Sequence, residues 1–77
     1  MLTTLFNLPL NKIGIIKEIN TSDFTKERLH SFGLIRDMEI KPLRTAPLGC
    51  PRIYLCLNAE IAIRNEDAKL ILVESRK

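Results

Sequence analysis

The longest unbroken apolar run in this chain is Ile53 to Leu57, five residues. A helix that crosses a bilayer needs about 18 or more, so no such helix is expected. The apolar residues instead form short stretches separated by proline, glycine or asparagine, which is the spacing of short strands. Ile13, Ile15 and Ile19 share one parity with Lys17 between them, and this period of two predicts a first strand over Lys12–Ile19 with that row facing inward. Ile53, Leu55 and Leu57 form a second row of this kind, which places Tyr54 on the outer face. Ile61 and Ile63 form another after a short Asn58–Ala59 connection.

Between the first strand and these rows the period changes. Ser22 or Asp23 can cap a helix whose apolar face carries Phe24, Leu29 and Phe32, and Gly33 is the expected stop. With Gly33 at that position, Leu29 and Leu34 occupy the two places whose apolar contact commonly closes a Schellman motif. A bent second strand is expected from Met38 to about Ala46, since Pro42 sits within it and a strand proline implies an edge or a bulge. Pro47-Leu48-Gly49-Cys50-Pro51 has the composition of a hairpin loop. Asn65-Glu66-Asp67-Ala68 resembles a capped helical turn, with acids where the N-terminal dipole favours them, ahead of a last strand over Leu70–Glu74. Five short strands and one helix after the first imply a mainly β fold, a small and strongly curved barrel occupying residues 1–77 as one domain.

Composition agrees with a packed domain. Of the 77 residues 45% are apolar, and 22 are leucine or isoleucine, so the chain can bury enough surface to escape disorder. Little of that surface can be spared for a deep pocket in a domain this small. Twelve Lys and Arg against nine Asp and Glu give +3 with the signs interspersed, which permits a nucleic-acid partner without requiring one. The first residues lack the basic region of a signal peptide, and two cysteines are too few for a disulfide framework. Free thiols in a reducing cytosol are expected.

Candidate chemistry is sparse. Cys50, Cys56 and His30 are the only soft metal ligands, and C-x5-C with one distant histidine supplies neither the ligand count nor the spacing of a structural zinc site. Cys56 reads as a small core residue, Cys50 as a loop residue and His30 as a solvated helix residue. Ser22, Ser31 and Ser75 lack a nucleophile-elbow setting, and the three isolated glycines form no phosphate loop. The expectation is a protein that is not an enzyme. Single-strand nucleic-acid binding would need aromatic stacking platforms. Of the four aromatics, Phe24 and Phe32 belong to the helix face, and only Tyr54 alternates outward on a strand.

Three segments carry a family resemblance. Arg28-Leu29-His30-Ser31-Phe32-Gly33-Leu34 is similar to R-L-x-x-L-G-L, Ala46-Pro47-Leu48-Gly49-Cys50-Pro51 to A-P-L-G-D-P, and Ile61-Ala62-Ile63-Arg64-Asn65-Glu66-Asp67-Ala68 to I-A-L-R-x-x-E-A. In order and spacing, from about Ile13 to Val73, the chain resembles FeoA proteins, small cytoplasmic components of bacterial ferrous iron transport with an SH3-like barrel. It departs from them at Arg36, in the G-L-x-x-G region where glycine is usual, and at Asn58, where glycine often precedes the strand. Cys50 replaces the usual aspartate. Asn58 tolerates a left-handed backbone at small cost, whereas Arg36 implies a differently shaped connection. Arg64 lies in outward register beside a turn, where its fork could hold carbonyls or a carboxylate of the neighbouring loop.

The resemblance implies a non-catalytic accessory protein of ferrous iron uptake, docking on the cytosolic GTP-binding part of the large transporter subunit and reaching the membrane only through it. No cofactor is implied, and direct metal binding would be weak and divalent. Candidate contact residues are Leu29, Leu34, Ile35, Leu48 and Tyr54, with Arg28 and Arg64 at the rim. Two alternatives stay open: a small nucleic-acid-binding barrel, and a self-associating metal-responsive module in which neighbouring chains share an ion through Cys50 or His30.

Overall fold

The computed structural model describes residues 1–76. Six strands, β1 (Leu2–Thr4), β2 (Gly14–Ile19), β3 (Glu39–Thr45), β4 (Arg52–Cys56), β5 (Ala59–Ile63) and β6 (Ile71–Ser75), form one sheet in the order β1-β6-β2-β3-β4-β5. Every neighbouring pair is antiparallel. A 3-10 turn, Leu5–Asn7, follows β1. Helix α1 (Asp23–Ser31) joins β2 to β3, and the single-turn α2 (Asn65–Ala68) joins β5 to β6. The sheet curls around one core that includes Leu5, Leu8, Ile16, Leu34, Ile40, Tyr54, Ile71 and Val73, all at most 1% exposed.

The expected mainly β fold with a helix after the first long strand is present, with six strands rather than five. β1 is three residues long, too short to display a period, and it pairs with β6 through Leu2–Glu74, Thr3–Val73 and Thr4–Leu72. The first long strand starts at Gly14 rather than Lys12, and the last runs Ile71–Ser75 rather than Leu70–Glu74.

β4 buries the opposite row from the one expected, and β2 does so only up to its bulge, since Ile19 is buried as expected. In β2 the buried residues are Gly14, Ile16 and Ile19, while Ile13 and Ile15 are half-buried. The register with β6 shifts between Ile16 and Glu18. One extra residue at Lys17 therefore lets Ile16 and Ile19, three apart, both face the core. Gly14 gives the close packing there its room, since an added Cβ would crowd Leu8 Cδ2 at 2.9 Å and Val73 Cβ at 3.3 Å. In β4 the core row is Arg52, Tyr54 and Cys56, with Ile53 and Leu55 half-buried and Leu57 exposed in the turn. Tyr54 is thus a core residue, not an outward one.

The remaining elements follow local rules. The Ser22 hydroxyl accepts the Thr25 N–H at 3.3 Å and caps α1, so the cap is Ser22 and not Asp23. At the other end Gly33 has φ +93, Leu34 N–H donates to Leu29 C=O and Gly33 N–H to His30 C=O, both at 3.0 Å. These are the two bonds of a Schellman motif, and Leu29 and Leu34 are both buried. The helix meets the barrel through this end. Its expected apolar face is otherwise open, with Phe24 73% and Phe32 48% exposed. In the next connection the left-handed residue is Asp37, φ 73, rather than Arg36. Counted from Gly33, G-L-x-x-G ends on Asp37, and a short polar side chain adopts that conformation readily. β3 shifts register between Pro42 and Arg44, which makes Leu43 the extra residue of the anticipated bulge. The β4–β5 turn is Leu57-Asn58, φ 52 and 63, one residue earlier than the expected Asn58–Ala59 connection, because Ala59 already pairs with Cys56; this is the type I′ geometry that suits a hairpin.

Candidate functional site

The residues expected to meet a partner divide into two groups. Leu29, Leu34 and Tyr54 belong to the core and none of them projects from the surface. Leu29 and Leu34 are consumed by the helix stop and Tyr54 by the reversed parity of β4. Arg28, Ile35, Leu48 and Arg64 are exposed.

Arg28 and Arg64 come together. Both line a hollow of about 180 Å3 between α1 and β5, whose floor includes Leu29 and Ile63. It adjoins a wider groove of about 480 Å3 lined by Arg28 of α1, by Phe32 at the helix C-cap and by Ala59, Glu60, Ile61 and Ala62 from β5. Arg28 and Phe32, four apart, share the helix face that looks onto the strand. Arg64 stands at the N-cap position of α2 without a side-chain cap bond, and its Nε lies 3.9 Å from Asp67 Oδ2. It therefore engages a carboxylate of its own turn and not the neighbouring loop.

The loop is held by Asn65 instead. Asn65 Nδ2 donates to Gly49 C=O at 2.9 Å, and its backbone N–H approaches Cys50 Sγ at 3.4 Å. Within the loop, Ala46 N–H donates to Pro51 C=O at 3.0 Å and Gly49 N–H to Ala46 C=O at 2.8 Å. These bonds fix the frame of a tip on which Leu48 is 96% exposed. The sequence placed Asn65 at a helix start, where its side chain would cap its own helix. No sequence signal marked its partner across the fold.

Arg52 is the other residue that sequence reasoning missed. It is 8% exposed, and its guanidinium donates to Phe6 C=O at 2.6 Å and Leu8 C=O at 3.1 Å while standing 5.6 Å from the centre of the Tyr54 ring. The Tyr54 hydroxyl is buried without a hydrogen-bond partner. Burial pushes its pKa up, and the neighbouring positive charge of Arg52 takes back part of that rise. Burial also pushes the Cys56 thiol up. A shared parity with Tyr54 and Cys56 was the available sign that Arg52 points inward.

Among the described residues, no three His, Cys, Asp or Glu side chains gather as a metal site would require. Cys56 is buried in the core, Cys50 is exposed in the loop and His30 is exposed on α1. With Tyr54 internal, the strands lose the one aromatic that a single-strand-binding surface was expected to use, and the exposed aromatics Phe24 and Phe32 stand on the helix. No helix among the described residues is long and apolar enough to cross a membrane.

Comparison with known proteins bears on what this arrangement serves. The fold is similar to the FeoA protein of Chlorobium tepidum, with a TM-score of 0.93 at 27% identity over 97% of this chain and 71% of that one. It is similar to iron(II) transport protein A of Clostridium thermocellum, TM-score 0.88 at 32% identity, where 95% of this chain covers 45% of that one. It also resembles a zinc complex of Stenotrophomonas maltophilia FeoA, described as a prokaryotic SH3 domain protein, with a TM-score of 0.80 at 24% identity over 94% of this chain and 89% of that one. No curated protein matches the sequence. The family model for the FeoA domain matches residues 3–75. That span takes in β2 to β6, all of β1 but Leu2, the loop tip and the α1–β5 groove, and the chain belongs to the FeoA family, which is linked to ferrous iron transport.

Proposed function

We propose that this protein is a non-catalytic cytoplasmic accessory of ferrous iron uptake that docks on the cytosolic GTP-binding part of the large transporter subunit. One observation supports docking above the others: Leu48 stands 96% exposed on a loop whose frame is fixed by Asn65. Because the backbone of this tip is already ordered, docking the side chain costs only its own rotamer freedom, as suits the anchor of an interface. Arg28 and Arg64 supply a charged rim, and Ile35, 45% exposed, adds apolar surface at the end of α1. The Stenotrophomonas relative has itself been proposed as a ferrous iron transport activating factor, which fits an accessory that acts by binding.

Calorimetric titration with the soluble GTP-binding domain of the transporter tests the proposal. Wild-type protein should bind, and Leu48→Glu should weaken binding by tenfold or more while thermal stability stays within about a degree, because the side chain is solvated in the free protein. Unchanged affinity in the variant would remove Leu48 from the interface. No binding by the wild type, with and without guanine nucleotide, would refute docking on that domain.

A further inference from the structure

β5 ends the sheet order, so one of its edges has no strand beside it. The two-residue turn Leu57-Asn58 makes Cys56 and Ala59 a hydrogen-bonded pair, and Tyr54–Ile61 and Arg52–Ile63 follow in the same phase. Glu60 and Ala62 therefore occupy the alternate positions, opposite Leu55 and Ile53, where the main-chain N–H and C=O groups point away from β4. No main-chain hydrogen bond of either residue to another segment is present among the described residues. Two donors and two acceptors, spaced by a two-residue repeat of about 6.8 Å, thus line the groove of about 480 Å3 that faces Arg28 and Phe32.

A free strand edge invites edge-to-edge pairing, and soluble proteins normally blunt it with a proline, an inward charge or a covering element. β5 has no proline, its inward residues are Ile61 and Ile63, and the helix beside it leaves the groove open. A groove between a helix and an exposed strand edge suits an extended peptide, whose main chain completes the sheet while its side chains read the walls. The walls set the chemistry. Phe32 offers half its surface as an apolar shelf, and Arg28 has no carboxylate within ion-pair distance among the described residues. The Glu60 carboxylate does not compete for Arg28, since it is held by Arg44 at 2.6 Å.

We propose that β5 is a docking edge for an extended acidic peptide, which pairs with Glu60 and Ala62, lays an apolar side chain on Phe32 and directs a carboxylate to Arg28. The transporter as the source of that peptide rests on the function proposed above; the edge chemistry does not.

The test uses 15N-labelled protein and a synthetic probe, acetyl-Val-Glu-Val-Glu-Val-amide, with its alternately N-methylated form as control. The probe should slow hydrogen exchange of the Glu60 and Ala62 amides by about tenfold at saturation and leave Ile61 and Ile63, already bonded to β4, unchanged. The N-methylated probe should have no effect. Ala62→Pro removes an outward donor and no bond to β4, while fixing φ at 62, and should weaken the probe about tenfold. Should proline unfold the chain, N-methylalanine placed at 62 by chemical synthesis makes the same deletion. Arg28→Gln should abolish the preference for this probe over its glutamine counterpart. Equal binding of the glutamate and glutamine probes by the wild type would overturn the acidic peptide, and unchanged exchange at Glu60 and Ala62, or equal protection by the N-methylated probe, would overturn strand addition. Protection that is already present in the protein alone and grows with its concentration would identify a second copy as the occupant, and would overturn the peptide. If the transporter domain binds while the probe leaves the edge unprotected, docking stands and strand addition falls.

Discussion

Replacing Arg52 with methionine keeps most of the aliphatic stem and removes the fork. The native guanidinium donates to Phe6 C=O at 2.6 Å and to Leu8 C=O at 3.1 Å, the second in a fully buried setting. Hydrogen bonds from a charged donor contribute about 1.5–3 kcal/mol each, and a carbonyl left unpaired in the interior costs about 1–3 kcal/mol. Relief opposes this loss, because burying a cation costs several kcal/mol and the variant no longer does so. That relief is largest when every polar partner is replaced as well, and here the two partners are main-chain carbonyls that no side-chain change removes. The net loss expected is about 2–4 kcal/mol, from a domain whose whole stability is about 4–12 kcal/mol at 77 residues. Denaturant titration should show a lower midpoint with little change in slope, and the melting temperature should fall by roughly 10–30 °C. Arg52→Lys, which keeps the charge but can reach only one carbonyl well, should fall between the two. Amide exchange across Leu5–Leu8 should quicken more than exchange in β2 or β6. A methionine variant within about 1 kcal/mol of wild type would refute the reasoning, since the carbonyls would then have found other donors without cost.

Tyr54→Phe removes a buried hydroxyl that has no partner and should be neutral or stabilising by up to about 1 kcal/mol; a loss above 1 kcal/mol in denaturant titration would show that the hydroxyl is bonded in solution. Burial raises the pKa of both Tyr54 and Cys56 in the folded chain, so the unfolded chain gives up these protons first and stability should fall as pH climbs past the ordinary thiol and phenol values, about 8.5 and 10. Below that window neither group contributes, and Tyr54→Phe combined with Cys56→Ala should flatten the alkaline slope; an unchanged slope would assign it to other groups. Gly33→Ala must hold φ near +93 and bring Cβ to 2.4 Å from Leu57 Cδ1, which should cost at least 1–2 kcal/mol by thermal melting, with Leu57→Ala recovering the steric part only.

What could be read from the sequence was local. Ser22, Gly33 and the Leu29–Leu34 pair obey rules that involve a few neighbouring residues, and so do the Pro47–Pro51 loop and Asn58, so these features stand where expected. Row parity is not local. Ile53, Leu55 and Leu57 outrank Arg52, Tyr54 and Cys56 in hydropathy, yet burial goes to the second set, because in a small curled sheet Ile53 and Leu55 are half-covered on the other face and the arginine has carbonyls to serve. In β2 the bulge at Lys17 resets a period that the sequence cannot show to be broken. Leu29 and Leu34 illustrate a conflict within the sequence itself: the contact that stops α1 uses the same side chains that were offered to a partner. Arg28 and Arg64 survived as a candidate pair because both are long, charged and outward, whereas Phe32 and Ala62 became part of a site only once α1 and β5 were seen to lie side by side.

Arg52 also bears on why a docking edge exists at all. β1 and β5 lie at opposite ends of the sheet order, and closing the barrel would pair them. The chain leaves β1 after three residues and enters a 3-10 turn at Leu5. The carbonyls of Phe6 and Leu8, which lie beyond β1, are taken by one side chain from β4. The N-terminal segment is thereby tied to the far half of the sheet without consuming the outer groups of Glu60 and Ala62. Stability and docking are then carried by different groups on adjacent strands, an inward arginine on β4 and an outward main chain on β5. The two should separate experimentally: at a temperature where Arg52→Lys remains folded, its affinity for an extended peptide should equal that of the wild type, and a parallel loss of both properties would show that the edge depends on the N-terminal segment it was inferred to do without.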